Sequence, residues 1–275
     1  GTSMSNNTKQ QAWILWVLAI VITLSAVVYQ RKTGPTYPVT GEVTIDGKTV
    51  SYHLMRSQNT GENAEIDLGA SKPEFNATLK WKRYKSHDEW RLTPFMMVDG
   101  HLKAYLPSQP PAGKIIYAVN LLTADGKTHS VVDEPTVIRF KGAVPAAVLI
   151  PHILFMFSAM LMATRTGMAS WVESPATLRY TILTGTFLML GGMILGPIVQ
   201  KYAFDAYWTG WPWGTDLTDN KTAVAFISWI LAAWRQNKTG NAKAWIISAA
   251  VITLAVYLIP HSAFGSELDY TQVEQ

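Results

Sequence analysis

A chain of 275 residues with 48% apolar and only 15% charged side chains falls well short of the quarter of charged residues usual in globular proteins. The absence of cysteine excludes disulfides, thiolate metal sites and cysteine nucleophiles, and a net charge of +4 without a Lys/Arg cluster argues against a nucleic-acid partner. The charge deficit sits in long uncharged runs, which makes the lipid bilayer the first expected partner.

In chain order, Gly1-Thr2-Ser3 reads as a cloning remnant ahead of a native Met4. Residues 12–29 are uncharged and long enough to cross a ~30 Å hydrocarbon core as a helix. Lys9 alone precedes them and no Ala-x-Ala site follows, so they are expected to form an uncleaved anchor helix rather than a cleaved signal peptide.

From 35 to 141 the apolar period falls to two. Asp46-Gly47 between two short runs is the strongest hairpin signal in the chain, and Asp99-Gly100 and Asp125-Gly126 mark further turns. Phe75, Ala77, Leu79 and Trp81 alternate onto one face of a strand. About seven strands in this stretch match a β-sandwich. The segment Leu106-Pro107-Ser108-Gln109-Pro110-Pro111-Ala112-Gly113-Lys114-Ile115-Ile116-Tyr117 resembles the E–F corner of immunoglobulin-like and fibronectin type III domains. By that resemblance, Tyr117 matches the corner tyrosine, whose hydroxyl returns to the backbone a few residues upstream, and Trp81 matches the core tryptophan of strand C. The resemblance covers 35–141 and implies an Ig-like fold, not a function. Without the inter-sheet cysteines, the fibronectin-like or bacterial Ig-like branch fits better.

After Lys141 the apolar runs return, at 145–163, 181–199, 222–234 and 244–259. With the anchor they make five spans, so the expected fold is a membrane helical bundle plus an all-β domain: anchor helix 12–29, Ig-like sandwich 35–141 and a four-helix transmembrane domain 144–270. Lys9, Arg165, Arg179, Arg235, Lys238 and Lys243 would face the cytoplasm. The β-domain, the Trp-rich loop 202–221 and the acidic tail 261–270 would then lie outside a bacterial inner membrane.

Two stretches on that outer face echo one another. Trp213-Gly214-Thr215-Asp216-Leu217 and Phe264-Gly265-Ser266-Glu267-Leu268 both read aromatic, Gly, hydroxyl, acid, Leu, with Asp219 and Asp269 close behind. Asp216, Asp219, Glu267 and Asp269 are therefore candidate ligands for a hard divalent cation such as Ca²⁺. The competing reading is that Thr215, Thr218 or Asp219 caps the helix of the fourth span and Ser266 caps a short C-terminal helix, with the acids favoured in a first turn. His152 inside the second span and His261 beyond the fifth are candidate ligands for haem b, zinc or copper, because ionisable groups in a span are costly and point to function. Met156 lies one helical turn from His152, and imidazole with thioether suits Cu(I) or haem. For His152 the competing reading is a bond to a carbonyl freed by Pro151.

Two functions fit these features. The first is metal or haem binding at the outer face of the bundle, with redox or metal-handling activity. The second is a non-catalytic membrane scaffold or accessory subunit whose sandwich binds an envelope glycan or another membrane or envelope protein. Phosphate-binding glycine loops, Gly-x-Ser-x-Gly and His-Glu-x-x-His are all absent from the sequence.

Overall fold

The computed structural model describes residues 2–69, 75–172, 176–260 and 267–272. Its contacts divide the chain into two compact units: Gly1–Gly34 with Val144–Tyr202 and Ala206–Gly265, and Pro35–Ala143 with Ala203–Asp205 and Ser266–Gln275.

The first unit is helical: α1 (Thr2–Thr33), α2 (Ala146–Trp171), α3 (Thr177–Leu188), α4 (Gly196–Phe204), α5 (Leu217–Thr239) and α6 (Lys243–Leu258). Three helical stretches are long and apolar enough to cross a membrane: Lys9–Thr33, Ala146–Trp171 and Thr177–Phe204. The helix α6 is apolar but only 16 residues long, and α5 carries Asp219, Lys221, Arg235 and Lys238.

The core of this unit is built from small residues around one large one. Trp229 is fully buried, with Ala159, Ala163, Ala225, Ala232 and Ala249 in the same cluster. Its indole N–H donates to Thr253 Oγ1 at 2.8 Å, which satisfies the one polar atom of the ring. The buried threonines Thr181 and Thr253 also donate to carbonyls four residues back, so they place no unpaired hydroxyl in the core.

The stretch from α3 to α4 is one continuous helix with a wide π-helical turn at Met189–Leu195. A Cβ on Gly191 would stand 2.9 Å from Phe155 Cβ and 3.1 Å from the Met156 nitrogen, so only glycine lets α2 approach this closely.

The second unit holds eleven strands among its described residues, more than the seven expected: β1 (Val39–Ile45), β2 (Lys48–Leu54), β3 (Ser57–Asn59), β4 (Ala64–Asp67), β5 (Asn76–Arg83), β6 (Arg91–Pro94), β7 (Met96–Val98), β8 (His101–Leu106), β9 (Lys114–Leu122), β10 (Thr128–Ser130) and β11 (Thr136–Lys141). They form one sheet of order β1-β2-β4-β8-β7 and another of order β3-β11-β9-β5-β6, with β10 paired to β9. Only β3 and β11 pair in parallel. Asp46 and Gly47, both at positive φ, close the β1–β2 hairpin in the turn that matches strand twist. Alternation puts Ala77, Leu79 and Trp81 of β5 into a single core with Ile66, Leu106, Ile115 and Phe140.

Tyr117 is fully buried in that core, but its bond differs from the expected one. The hydroxyl donates at 2.7 Å to the Met55 carbonyl, far upstream in sequence rather than a few residues away. Burial pushes its pKa up, which keeps it a donor.

The tail also departs from expectation. The described tail residues, 267–272, cluster with the β unit rather than with the helices. Tyr270 is buried, its hydroxyl donates to Gln109 Oε1 at 2.8 Å, and the Arg83 guanidinium lies 4.9 Å from its ring. Leu268 N–H donates to the Ala112 carbonyl at 3.1 Å.

Candidate functional site

The four candidate carboxylates divide between the two units. In the helical unit, the N-cap of α5 is Asp216, which accepts from Thr218 N–H at 2.8 Å, and not Thr215, Thr218 or Asp219, the expected caps. Asp219, one turn on, is buried and accepts from Thr209 N–H at 2.7 Å and from Gln200 Nε2 at 3.2 Å, both on its Oδ2. The Thr209 hydroxyl lies 2.8 Å from Asp216 Oδ2 and 3.3 Å from Asp219 Oδ2. Its single proton goes to the nearer oxygen. The two acids therefore tie the start of the loop to the start of α5.

Asn220 completes the tie by accepting from Trp211 N–H at 2.7 Å. The chain passes so close here that a Cβ on Gly210 would lie 2.6 Å from Asn220 Oδ1 and 2.8 Å from Asp219 Cβ. What the network holds out is aromatic: Trp211 is 78% and Trp213 81% exposed. Lys221, buried behind the loop, donates to the Ile259 carbonyl at 2.7 Å, a contact that sequence reasoning missed.

In the β unit, Glu267 accepts from Lys85 Nζ at 2.5 Å and from Lys114 Nζ at 2.8 Å. Burial alone would raise its carboxyl pKa, but the hydrogen bonds and charge of the two lysines outweigh that and hold it below the ordinary glutamate value. The Asp269 carboxylate turns back on its own chain, accepting from Thr271 N–H at 2.9 Å and Thr271 Oγ1 at 2.6 Å. Both tail acids are thus engaged by donors of their own unit.

His152 is half-buried, and its Nδ1 lies 2.8 Å from the Gly191 carbonyl in the wide turn. A carbonyl only accepts, so Nδ1 carries the proton. The bond therefore crosses to the neighbouring helix and does not use a carbonyl freed by Pro151. Met156 sits beside the same turn, its sulfur 3.1 Å from where a Cβ on Gly191 would stand, and its carbonyl accepts from the Tyr257 hydroxyl at 2.5 Å. His261 lies outside the described residues. Among the described residues no three His, Cys, Asp or Glu side chains gather in a way that would hold a metal ion.

Two further features escaped the sequence reading. Arg165 is 3% exposed, and its Nε and Nη1 have no hydrogen-bond partner among the described residues. Its guanidinium lies 5.3 Å from the Trp16 ring and 5.2 Å from the Tyr180 ring, which themselves meet edge to face. Aromatic neighbours at a buried arginine were visible in the sequence, but not their pairing across three helices.

The second feature is in the β unit. The run 90–98 supplies the last strand of both sheets, β6 in one and β7 in the other. It exposes Trp90, Leu92, Met96 and Met97, with Leu92 and Met96 each 66% exposed. The Lys80 and Lys82 ammonium groups lie 4.9 and 5.3 Å from the Trp90 ring. The signal available in sequence was the unbroken apolar run Phe95-Met96-Met97-Val98 inside an otherwise alternating stretch.

No protein-family model matches the chain, and a comparison with curated proteins finds no significant match.

Proposed function

We propose that this chain is a membrane-anchored, non-catalytic binding protein whose β unit docks a partner protein of the cell envelope. The observation that carries this reading is the shared edge at 90–98. Edge strands offer unpaired backbone donors and acceptors, and soluble proteins normally blunt them with charge, proline or cover. This edge carries Arg91 and Pro94, yet Leu92, Met96 and Met97 of its strands, and Trp90 just before them, stand exposed beside those residues. A strand added by a partner would use the free backbone groups and cover the apolar side chains together.

In this reading all five apolar helical stretches cross a bacterial inner membrane, with Arg165, Arg179, Arg235, Lys238 and Lys243 on the cytoplasmic side and the β unit outside. The β unit is an Ig-like sandwich. The sheet order β3-β11-β9-β5-β6, the parallel β3–β11 pair and the buried Trp81 and Tyr117 support that assignment. The exposed Trp211 and Trp213 anchor the helical unit at the outer headgroup layer.

The test is a photo-crosslinking amino acid placed at 92, 96 or 97 of the full chain in its own cells. One discrete protein adduct is expected, lost on Met97→Lys with the crosslinker at 92. If none of the three positions gives an adduct that this change removes, the docking edge is abandoned.

One observation favours a second reading. The Nδ1 proton of His152 is committed to the Gly191 carbonyl, which is how metal-bound imidazoles are oriented, and it leaves Nε2 as an acceptor. A cofactor there would take His152 with Met156 or His261 as ligands. A visible spectrum and elemental analysis of the detergent-purified chain decide between the readings. A Soret band, or about one metal equivalent per chain that disappears in His152→Ala, would replace the scaffold reading with a cofactor protein.

A further inference from the structure

On β5 the side chains of Ala77, Leu79 and Trp81 point into the core, so Lys80 and Lys82 point out of the sheet. Register places Leu92 of β6 opposite Lys80 on one side, and Ala118 and Ile116 of β9 opposite Lys80 and Lys82 on the other. Residues opposite one another share a face. The two lysines therefore stand in an apolar strip that ends at the exposed Leu92, on the last strand of the sheet. Trp90, just before β6, joins the strip: the Lys80 and Lys82 ammonium groups lie 4.9 and 5.3 Å from its ring.

The charge of this strip is unbalanced. Lys85, Lys103, Lys114 and Lys127 of the same unit each form an ion pair with a glutamate or an aspartate. Lys80 and Lys82 form none among the described residues, and the Trp90 ring is what they meet. The ring attracts both ammonium groups through its π face but carries no net charge, so two positive charges remain. The acids nearest in sequence do not answer them. Asp88 is held by the Arg83 guanidinium at 2.6 and 2.7 Å, and Glu89 forms no ion pair among the described residues.

The adjoining edge narrows what can bring the missing charge. The strand β6 ends its sheet, and a row of backbone donors and acceptors is matched by a further polypeptide strand, not by a lipid headgroup or a sugar chain. Alternate side chains of an extended segment project to one face, at the spacing with which Lys80 and Lys82 themselves project.

We infer that the partner lays an acidic, extended segment on this strip. Aspartate or glutamate side chains two residues apart meet Lys80 and Lys82, and apolar side chains flanking them cover Trp90 and Leu92. This assigns the chemistry of the partner, and it rests on 90–98 being the docking edge.

The test places a photo-crosslinking amino acid at position 92 of the full chain in its own cells, and mass spectrometry maps the joined peptide. A protein adduct is expected, with two or more acids beside the joined residue. Its yield should fall about threefold in Lys80→Gln or in Lys82→Gln. It should fall about tenfold when Lys80→Glu and Lys82→Glu are combined, because repulsion replaces attraction. Lys80→Arg with Lys82→Arg keeps the charge and should retain the adduct, as should Lys48→Gln on the other sheet. Protease resistance of each variant reports folding, and the glutamine and arginine variants carry the test if the glutamate pair fails to fold.

An adduct that Met97→Lys removes but the lysine changes leave intact would overturn the acidic segment and spare the docking edge. A yield that falls as far with arginine as with glutamate, a joined peptide without acids, or an adduct to lipid or glycan would also overturn it. Failure of all three positions to give an adduct that Met97→Lys removes would sink the edge and the acidic segment together.

Discussion

The loop before α5 and the C-terminal tail present the same short pattern, Asp216-Leu217 with Asp219 behind and Glu267-Leu268 with Asp269 behind. They end in different units and do different work. Asp216 and Asp219 find their donors within about twenty residues: Thr209, Gln200 and the first turn of α5. Glu267 finds Lys85 and Lys114, more than 150 positions away in sequence. A carboxylate needs several donors and is indifferent to where they come from. The same letters thus build a helix start in one place and fasten a chain terminus in the other.

The comparison can be broken first at Asp219. Asp219→Ala leaves the Thr209 N–H and the Gln200 amide without their buried acceptor, and should cost the helical unit about 3 kcal/mol. Unfolding of the detergent-solubilised chain measures it. The loss should come with freed Trp211 and Trp213 emission, since the network is what presents them. A loss below about 1 kcal/mol would mean that the carboxylate is not the tie described here.

Gly210→Ala tests the same tie from the other strand of the loop. The added methyl meets Asn220 and Asp219, and such overpacking costs about 1–3 kcal/mol. Asp216→Ala removes the cap and the Thr209 hydroxyl contact, and about 1–2 kcal/mol is expected in the same assay.

The tail should respond least. Its ion pairs are partly exposed, so Glu267→Gln should cost the β unit no more than about 1 kcal/mol. Its signature is in pH. The Glu267 carboxyl is depressed in the folded state, so the unfolded chain takes up the proton more readily. Its stabilising contribution is therefore full above the ordinary glutamate range and is lost as pH falls through the lower folded value. The methyl resonances of Leu268, followed through an acid titration, should shift in wild type and stay flat in Glu267→Gln. A shift that persists in the variant would assign the tail's docking to Tyr270 and its apolar contacts alone.

Much of the fold was legible because it follows from neighbours in sequence. The hairpin at Asp46-Gly47 is dictated by two residues at positive φ, and the inward row Ala77, Leu79 and Trp81 by the period of an extended strand. The three long apolar helices follow from length and hydrophobicity. The candidate site was legible only in its residue types. A cap at the start of α5 is a local bond and was expected, but Asp216 makes it rather than Thr215, Thr218 or Asp219. The Glu267–Lys85 pair and the Tyr117–Met55 bond join parts of the chain that no spacing rule connects.

What the sequence determined by itself was the features whose energy is decided within a few residues: strand and helix periods, turn dipeptides and the absence of thiol chemistry. Only the tertiary structure decided which donors each buried polar group met. It turned His152 to the Gly191 carbonyl and set the Arg165 guanidinium against the rings of Trp16 and Tyr180. The reason is physical: burial makes an unmet hydrogen bond costly, but it is the packing of distant helices and strands that determines which partner is within reach.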